Sequence, residues 1–170
     1  GLVLTCSIYW WCREQALDTL RERFERRAVD RCLLIEDKFS EYEYHVDAVR
    51  RFFLGSERVD RLEFHNFVKV DVDPGSGIHS LSWAPRVRHV DRASHEALAA
   101  QEGLTGYQIW ENGPGNVPKP CEAQEEYCPL FYREPAKTEA SFYGFNLLSD
   151  PIRKAALEKA RDTGTLVASE

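Results

Sequence analysis

Five cysteines (Cys6, Cys12, Cys32, Cys121, Cys128) and five histidines (His45, His65, His79, His89, His95) carry the side chains best suited to metal or nucleophilic chemistry. No two cysteines form a C-x-x-C pair, which removes the zinc-ribbon and thioredoxin readings. No H-E-x-x-H or mixed Cys/His spacing occurs, so each histidine reads as a surface or half-buried ring rather than a metal ligand. There is no G-x-S-x-G, P-loop or G-x-G-x-x-G run. Glu125 and Glu126 sit side by side in a polar stretch, but nothing in the spacing pairs an acid with a base. These residues therefore assign no catalytic group, no metal and no cofactor. Cys121 and Cys128 bracket the run CEAQEEYC. A disulfide can close a loop of that size in an oxidising compartment; two free thiols in a cytosolic loop fit the same spacing. Cys32 falls on an apolar helix face and reads as a small core residue.

The chain of 170 residues is long enough for one domain with a real core. With 43% apolar and 29% charged residues it has a globular composition, not a disordered one. Its net charge of −6 excludes a non-specific nucleic-acid binder, which needs a basic excess. It opens on Gly1 and contains no Met, as a processed or excised segment does.

The elements that must position any site begin with a long helix. Residues 1–12, GLVLTCSIYWWC, are uncharged and close on Tyr9, Trp10 and Trp11, followed by Arg13 and Glu14. That order resembles the exit end of a membrane helix, although about 20 residues are needed to span a bilayer; a buried amphipathic start is the other reading. From Arg13 to Leu54 apolar residues recur every three or four positions: Leu17, Leu20, Phe24, Ala28, Cys32, Ile35, Phe39, Tyr42, Val46, Val49 and Phe53. With no Gly or Pro inside, this spacing predicts one helix of about 11 turns and roughly 60 Å. Its first half suits pairing with a partner helix and its second half packing on a domain. The interleaved Arg and Glu residues between 21 and 31 read as a solvated face.

Gly55 and Ser56 end this helix. Asp60 and Glu63 have capping-box spacing and start a short helix to about residue 70. DPGSG at 73–77 reads as a turn and Ile78–Trp83 as a strand. Asp91 is placed to cap a helix that Gly103 ends. Tyr107–Trp110 reads as a short strand and 111–123, with three prolines and two glycines, as an extended loop. Tyr127–Arg133 is strand-like around Pro129, and Phe142–Leu147 is extended. Asp150-Pro151 opens a helix that Gly164 closes, and Thr165–Ala168 reads as the start of a strand. The fold class is α+β: a helical stalk, then a module of short helices and strands.

Three segments resemble one family, the CHASE domain, a class of extracytoplasmic sensor domains of membrane histidine kinases and nucleotide cyclases. The first is Gly77-Ile78-His79-Ser80-Leu81-Ser82-Trp83-Ala84-Pro85-Arg86-Val87, with Arg92 and Glu96 after it. The second is Tyr127-Cys128-Pro129-Leu130-Phe131-Tyr132-Arg133-Glu134-Pro135. The third runs from Gly144-Phe145-Asn146-Leu147-Leu148-Ser149-Asp150-Pro151 through Ala160-Arg161-Asp162-Thr163-Gly164. They occur in the family's order and cover about residues 75–170.

The resemblance implies residues 1–12 as the end of a transmembrane helix, 13–54 as a long stalk, and 55–170 as a PAS-like α/β sensor module, incomplete at its C-terminus. It implies a membrane-anchored receptor whose sensor part lies outside the cytoplasm and binds a small molecule. A homodimer through the stalk would pass the signal to a cytoplasmic kinase or cyclase, and this segment itself would be catalytically silent. In the cytokinin receptors of the family, an Asp at the position of Asn146 holds the adenine edge, and backbone at the position of Ala168 contacts the ligand. Asn146 carries no charge, which points away from cytokinins and toward a different, neutral ligand. A turn or strand-end amide bonded to its own backbone is the other reading of Asn146. Tyr127, Phe131, Phe145, Leu166 and Ala168 lie on expected strands near Asn146 and are candidate pocket walls; the same aromatics fit a plain core. Two rivals stand beside the sensor: a structural dimerisation module with no small-molecule ligand, and a small hydrolase or transferase using the acidic loop.

Overall fold

The fold was derived from a computed structural model that describes residues 1–72, 75–135 and 142–169. Of the 73–77 turn expected from the sequence, Asp73 and Pro74 lie outside the described residues. The chain divides into two compact units, Gly1–His45 and Val46–Glu170.

Helix α1 covers Leu2–Gly55, so the uncharged opening and the charged stretch after it form one uninterrupted helix. No helix among the described residues is long and apolar enough to cross a membrane. Within Gly1–His45 no described side chain is buried; Ala28, Tyr42 and His45 are half-covered and the rest are exposed. Cys32, expected in a core, is exposed, because no described residue of Gly1–His45 packs over this part of the helix. Arg21 and Glu25 (3.1 Å) and Lys38 and Glu41 (2.5 Å) pair along the surface. Such exposed pairs contribute little to stability.

In the second unit the same helix reaches a core. Val49 is buried, and Phe52 and Phe53 pack against it. Phe53 stacks on Trp83 at 3.6 Å and Phe52 on Phe67 at 4.2 Å. Helix α2, Arg61–Val68, starts with the expected capping box: Asp60 accepts from the Glu63 amide, and the Glu63 carboxylate accepts from the Asp60 amide. It buries Phe64 and Val68. Helix α3 covers Arg92–Gln101, but Asp91 does not cap it. A 3-10 turn over His89–Asp91 puts Asp91 in a helical conformation, and its carboxylate takes Arg88 instead (2.7 Å).

Six short strands form three antiparallel pairs. Strand β1 (Leu81–Trp83) pairs with β6 (Tyr132–Glu134), β2 (Val87–Arg88) with β5 (Glu126–Tyr127), and β3 (Trp110–Asn112) with β4 (Pro118–Pro120). The expected strand Tyr107–Trp110 thus begins only at its last residue, and the expected loop 111–123 contains a hairpin. That hairpin tolerates Pro118 and Pro120 because its turn closes elsewhere, through Gly113 N–H to the Val117 carbonyl at 2.8 Å. Pro129 splits the expected 127–133 strand into β5 and β6, leaving a single bridge from Pro129 to Asn146. Helix α4 covers Pro151–Thr163, capped by Asp150 and closed by Gly164 at φ 67°. The strand expected at Thr165–Ala168 is not formed; the segment has no ladder partner among the described residues.

Candidate functional site

The β1–β6 ribbon alternates, as any strand pair must. Leu81, Trp83 and Tyr132 face the core, while Ser82 and Arg133, direct cross-strand partners, face the other way. On that outer face lies a groove of about 460 Å³. Ser80, Ser82 and Arg133 form one wall. Helix α4 supplies Arg153, Ala156 and Leu157, positions three and four apart on one helical face. Leu130, Phe142, Phe145 and Leu147 come from the connecting segments, and Val167 and Ser169 from the C-terminal stretch.

The only charges among the described residues of this lining are two guanidinium groups. Arg133 lies over the Phe142 ring at 4.8 Å, and Arg153 over Phe145 at 5.6 Å. Arg153 also approaches an oxygen of Asp150 at 3.9 Å, while the other oxygen of Asp150 caps α4 by accepting from the Ile152 and Arg153 amides. Arg133 has no carboxylate partner among the described residues.

Behind the groove sits Asn146, the one fully buried polar residue among those described. Phe145 and Leu147 line the groove; Asn146, between them, is turned inward. Its Oδ1 accepts from the Cys128 amide (2.9 Å) and the Leu148 amide (3.3 Å), and its Nδ2 donates to Cys121 Sγ (3.5 Å). Its backbone amide donates to the Trp110 carbonyl (2.9 Å). Asn146 thereby joins the β3 region to the β5–β6 segment. Gly144 makes this crossing possible: at φ 85° a Cβ would stand 2.1 Å from the Gln108 carbonyl oxygen.

Of the residues singled out from sequence, Phe145 lines the groove and Asn146 lies directly behind it. Tyr127 and Phe131 are buried in two separate clusters and line neither this groove nor its neighbour. Ala168 lines an adjoining groove of about 520 Å³ along α4, with Ile152, Ala155 and Lys159. Leu166 is 48% exposed and lines neither. Val167 and Ser169, one position off the expected pair, face the site. Ser80, Ser82, Arg133 and Arg153 were not picked out from sequence. The alternation in His79-Ser80-Leu81-Ser82-Trp83 and in Tyr132-Arg133-Glu134 was the available signal, since it puts two hydroxyls and a guanidinium on one face.

Cys121 and Cys128 are free thiols with different partners. Cys121 Sγ donates to Glu111 at 3.2 Å, and Cys128 Sγ to the Ala84 carbonyl at 3.3 Å. Burial pushes both thiols up to about 11, with the Glu111 hydrogen bond adding at Cys121 and the Glu126 charge at Cys128. Neither is a ready nucleophile at neutral pH.

A half-buried polar node locks the adjoining elements. Arg92 donates to the carbonyls of Cys121 (2.9 Å) and Ile109 (3.1 Å) and to Glu96 (2.9 Å), and Glu96 also accepts from the Ile109 amide (3.0 Å). Tyr127 OH meets His89 Nδ1 at 2.8 Å and the Gln124 amide at 3.0 Å. A larger groove of about 610 Å³ lies along the α3–β3 loop and the β3–β4 hairpin, walled by Tyr107, Trp110, Pro118, Pro120 and Tyr143. Its one charged group, Lys119, is already held by Glu111 (3.0 Å) and Glu122 (3.1 Å), so it offers a ligand no free charge. No cluster of three or more His, Cys, Asp or Glu among the described residues could hold a metal.

Two comparisons bear on this arrangement. The family model of the CHASE domain matches residues 57–170. The chain is also 27% identical, over 154 residues and 89% of its length, to hybrid signal transduction histidine kinase A of Dictyostelium discoideum. It spans 7% of the length of that relative.

Proposed function

The chain belongs to the CHASE domain family, a class of sensor domains of histidine kinases, and from that premise we propose that it is the ligand-sensing part of a membrane receptor. In this reading residues 55–170 form the PAS-like sensor module outside the cytoplasm. Residues 13–54 form a stalk that pairs with a second copy, and residues 1–12 belong to the end of a membrane span. A small molecule binds the module and shifts the balance between two stalk arrangements, which a cytoplasmic kinase or cyclase reads. The segment itself performs no catalysis. The observation that carries the reading is the groove between the outer face of β1–β6 and α4. It has the volume of a small-molecule site, an apolar floor at Leu130, Phe145 and Leu147, and a few polar groups on its walls.

Asn146 serves this site from behind. Its side chain, at the position where cytokinin receptors carry an Asp, holds the backbone that presents Phe145 and Leu147. Val167 and Ser169, on either side of Ala168, form part of the groove's margin. The exposed apolar stripe of the stalk, with Leu17, Leu20, Phe24, Ile35 and Phe39 each more than half exposed, supports pairing with a second copy.

The test is a thermal-shift screen of the protein against small acids, amino acids, amides, amines and adenine derivatives. A saturable rise in melting temperature confined to one chemical class is the expected result. No shift across the library would remove the sensor reading and leave a structural dimerisation module. Asn146→Ala is a poor diagnostic, because it strands the Cys128 amide and weakens the fold whether or not a ligand binds. Leu157→Lys, which places a long charged chain in the groove from an α4 position, is the informative variant. It should abolish the shift while the ligand-free melting temperature changes little.

A further inference from the structure

Resting on that reading of the groove, we propose that its ligand is an organic anion: a small molecule with a carboxylate or phosphate head and an apolar body. The neutral side chain at 146 suggested a neutral ligand, but Asn146 faces away from the groove and its amide is taken up by the protein. Charge reaches the groove from Arg133 and Arg153 instead; no carboxylate is among its described lining residues, and Asp150 approaches Arg153 at 3.9 Å without joining that lining. In a chain of net charge −6, two arginines and no acid among the described lining residues depart from the average surface.

The two guanidinium groups are placed to act on a ligand. Each rests on an aromatic ring that also lines the groove, Phe142 under Arg133 and Phe145 under Arg153. A guanidinium held over a ring by a cation–π contact is steadied in place and still has N–H groups to donate to an oxyanion. Ser80 and Ser82 stand on the same wall as Arg133, and no partner for either hydroxyl occurs among the described residues. They can complete an anion's hydrogen bonds without adding charge. Arg153 lies in the first turn of α4, which carries the positive end of the helix dipole. Leu130, Leu147, Ala156, Leu157 and Val167 offer an apolar surface for the remainder of the ligand.

Isothermal titration of the full chain with probes of one shape and different charge tests this. Phenylacetate and phenyl phosphate are the anions, phenylacetamide the neutral analogue and phenethylamine the cation. The anions should bind at least about tenfold more tightly than the other two, with the advantage shrinking as salt is added. Comparing phenylacetate with phenyl phosphate then identifies the head group. Arg133→Gln and Arg153→Gln should each weaken anion binding about tenfold or more, and Arg133→Lys should restore part of it. Arg161→Gln, at the far end of α4 and outside the groove, should change nothing. Melting curves without ligand confirm that each variant is folded. If the amide or the amine binds as well as the anions, or if both Gln variants bind normally, anion selectivity is overturned while the sensor reading stands. If no probe binds at millimolar concentration, the groove reading falls along with it.

Discussion

Gly1–His45 and Val46–Glu170 contain apolar residues at comparable frequency, yet among the described side chains only the second unit buries any. Along α1 the three-and-four spacing is unbroken from Leu17 to Phe53. Phe24 is 73% exposed and Val49 is 6% exposed, although both occupy the same stripe. What separates them is local coverage: Val49 and Phe53 pack into the core with Phe64 and Trp83, whereas no side chain from Leu17 to Phe39 is buried. Periodicity therefore states that a face is apolar, not what lies on it. Exposed apolar helix faces are common sites for packing against another helix.

The sharpest way to break this contrast is to delete one large side chain in each unit. Phe64→Ala, in the core against Tyr132, should cost about 3–5 kcal/mol, read as a lower denaturation midpoint. Phe24→Ala in a dilute monomer should cost less than about 0.5 kcal/mol. A large, concentration-dependent loss at Phe24 would show that a partner covers the helix. Gly144→Ala belongs with the large effects, at about 3 kcal/mol or more, because its Cβ would overlap the Gln108 carbonyl.

Arg92→Gln should come next, at about 2–3 kcal/mol in chemical denaturation, since it strands Glu96 and the buried carbonyls of Ile109 and Cys121. No comparable node exists among the described residues of Gly1–His45, where Arg21→Gln should be silent.

Titration sharpens the contrast from both ends of the pH scale. Burial holds His95 below 6.5, against the pull of Glu96. The unfolded chain therefore takes up that proton first, and stability should fall as pH drops below about 6.5. Cys121 and Cys128 are raised from 9.0 to about 11. Their contribution is complete below about pH 9 and is lost as pH rises toward 11. Burial also raises Tyr107 and Tyr132 above 10.0, extending the loss beyond pH 10. Melting temperature against pH should thus show a plateau between about 6.5 and 9. None of these five groups lies in Gly1–His45.

The smallest perturbation is chemical labelling at pH 8. Cys6, Cys12 and Cys32 are exposed and should alkylate within minutes under iodoacetamide. Cys121 and Cys128, with about one thiolate in a thousand at that pH, should react at least tenfold more slowly until the protein is unfolded. Fast labelling of all five would mean that the second unit opens readily.

Much of the fold is legible along the chain because its causes are local. Asp60 with Glu63, Asp150 with Pro151, and Gly164 after α4 mark helix ends through hydrogen bonds to residues two to four positions away. The unbroken 3.6-residue stripe determines α1. Asp91 shows where local signals stop deciding, since its carboxylate had a second local partner in Arg88 and took it. The β3–β4 hairpin was hidden by its prolines, and the break between β5 and β6 depends on where Pro129 meets Asn146.

The site divides along the same line. Three motifs in order identified the CHASE family and drew attention to Phe145 and Asn146. Only tertiary structure decided which way each residue of the third motif faces, turning Asn146 inward to bond Cys128 and Cys121 while Phe145 and Leu147 line the groove. Arg133 and Arg153 stand 20 positions apart in the chain, on a strand and a helix. No spacing rule joins them, because their proximity follows from how α4 and the 142–147 segment lie against β1–β6. Sequence alone determined the elements, whose hydrogen bonds close within a few residues. The groove and its charge had to await the fold, because they arise from contacts between residues far apart in the chain.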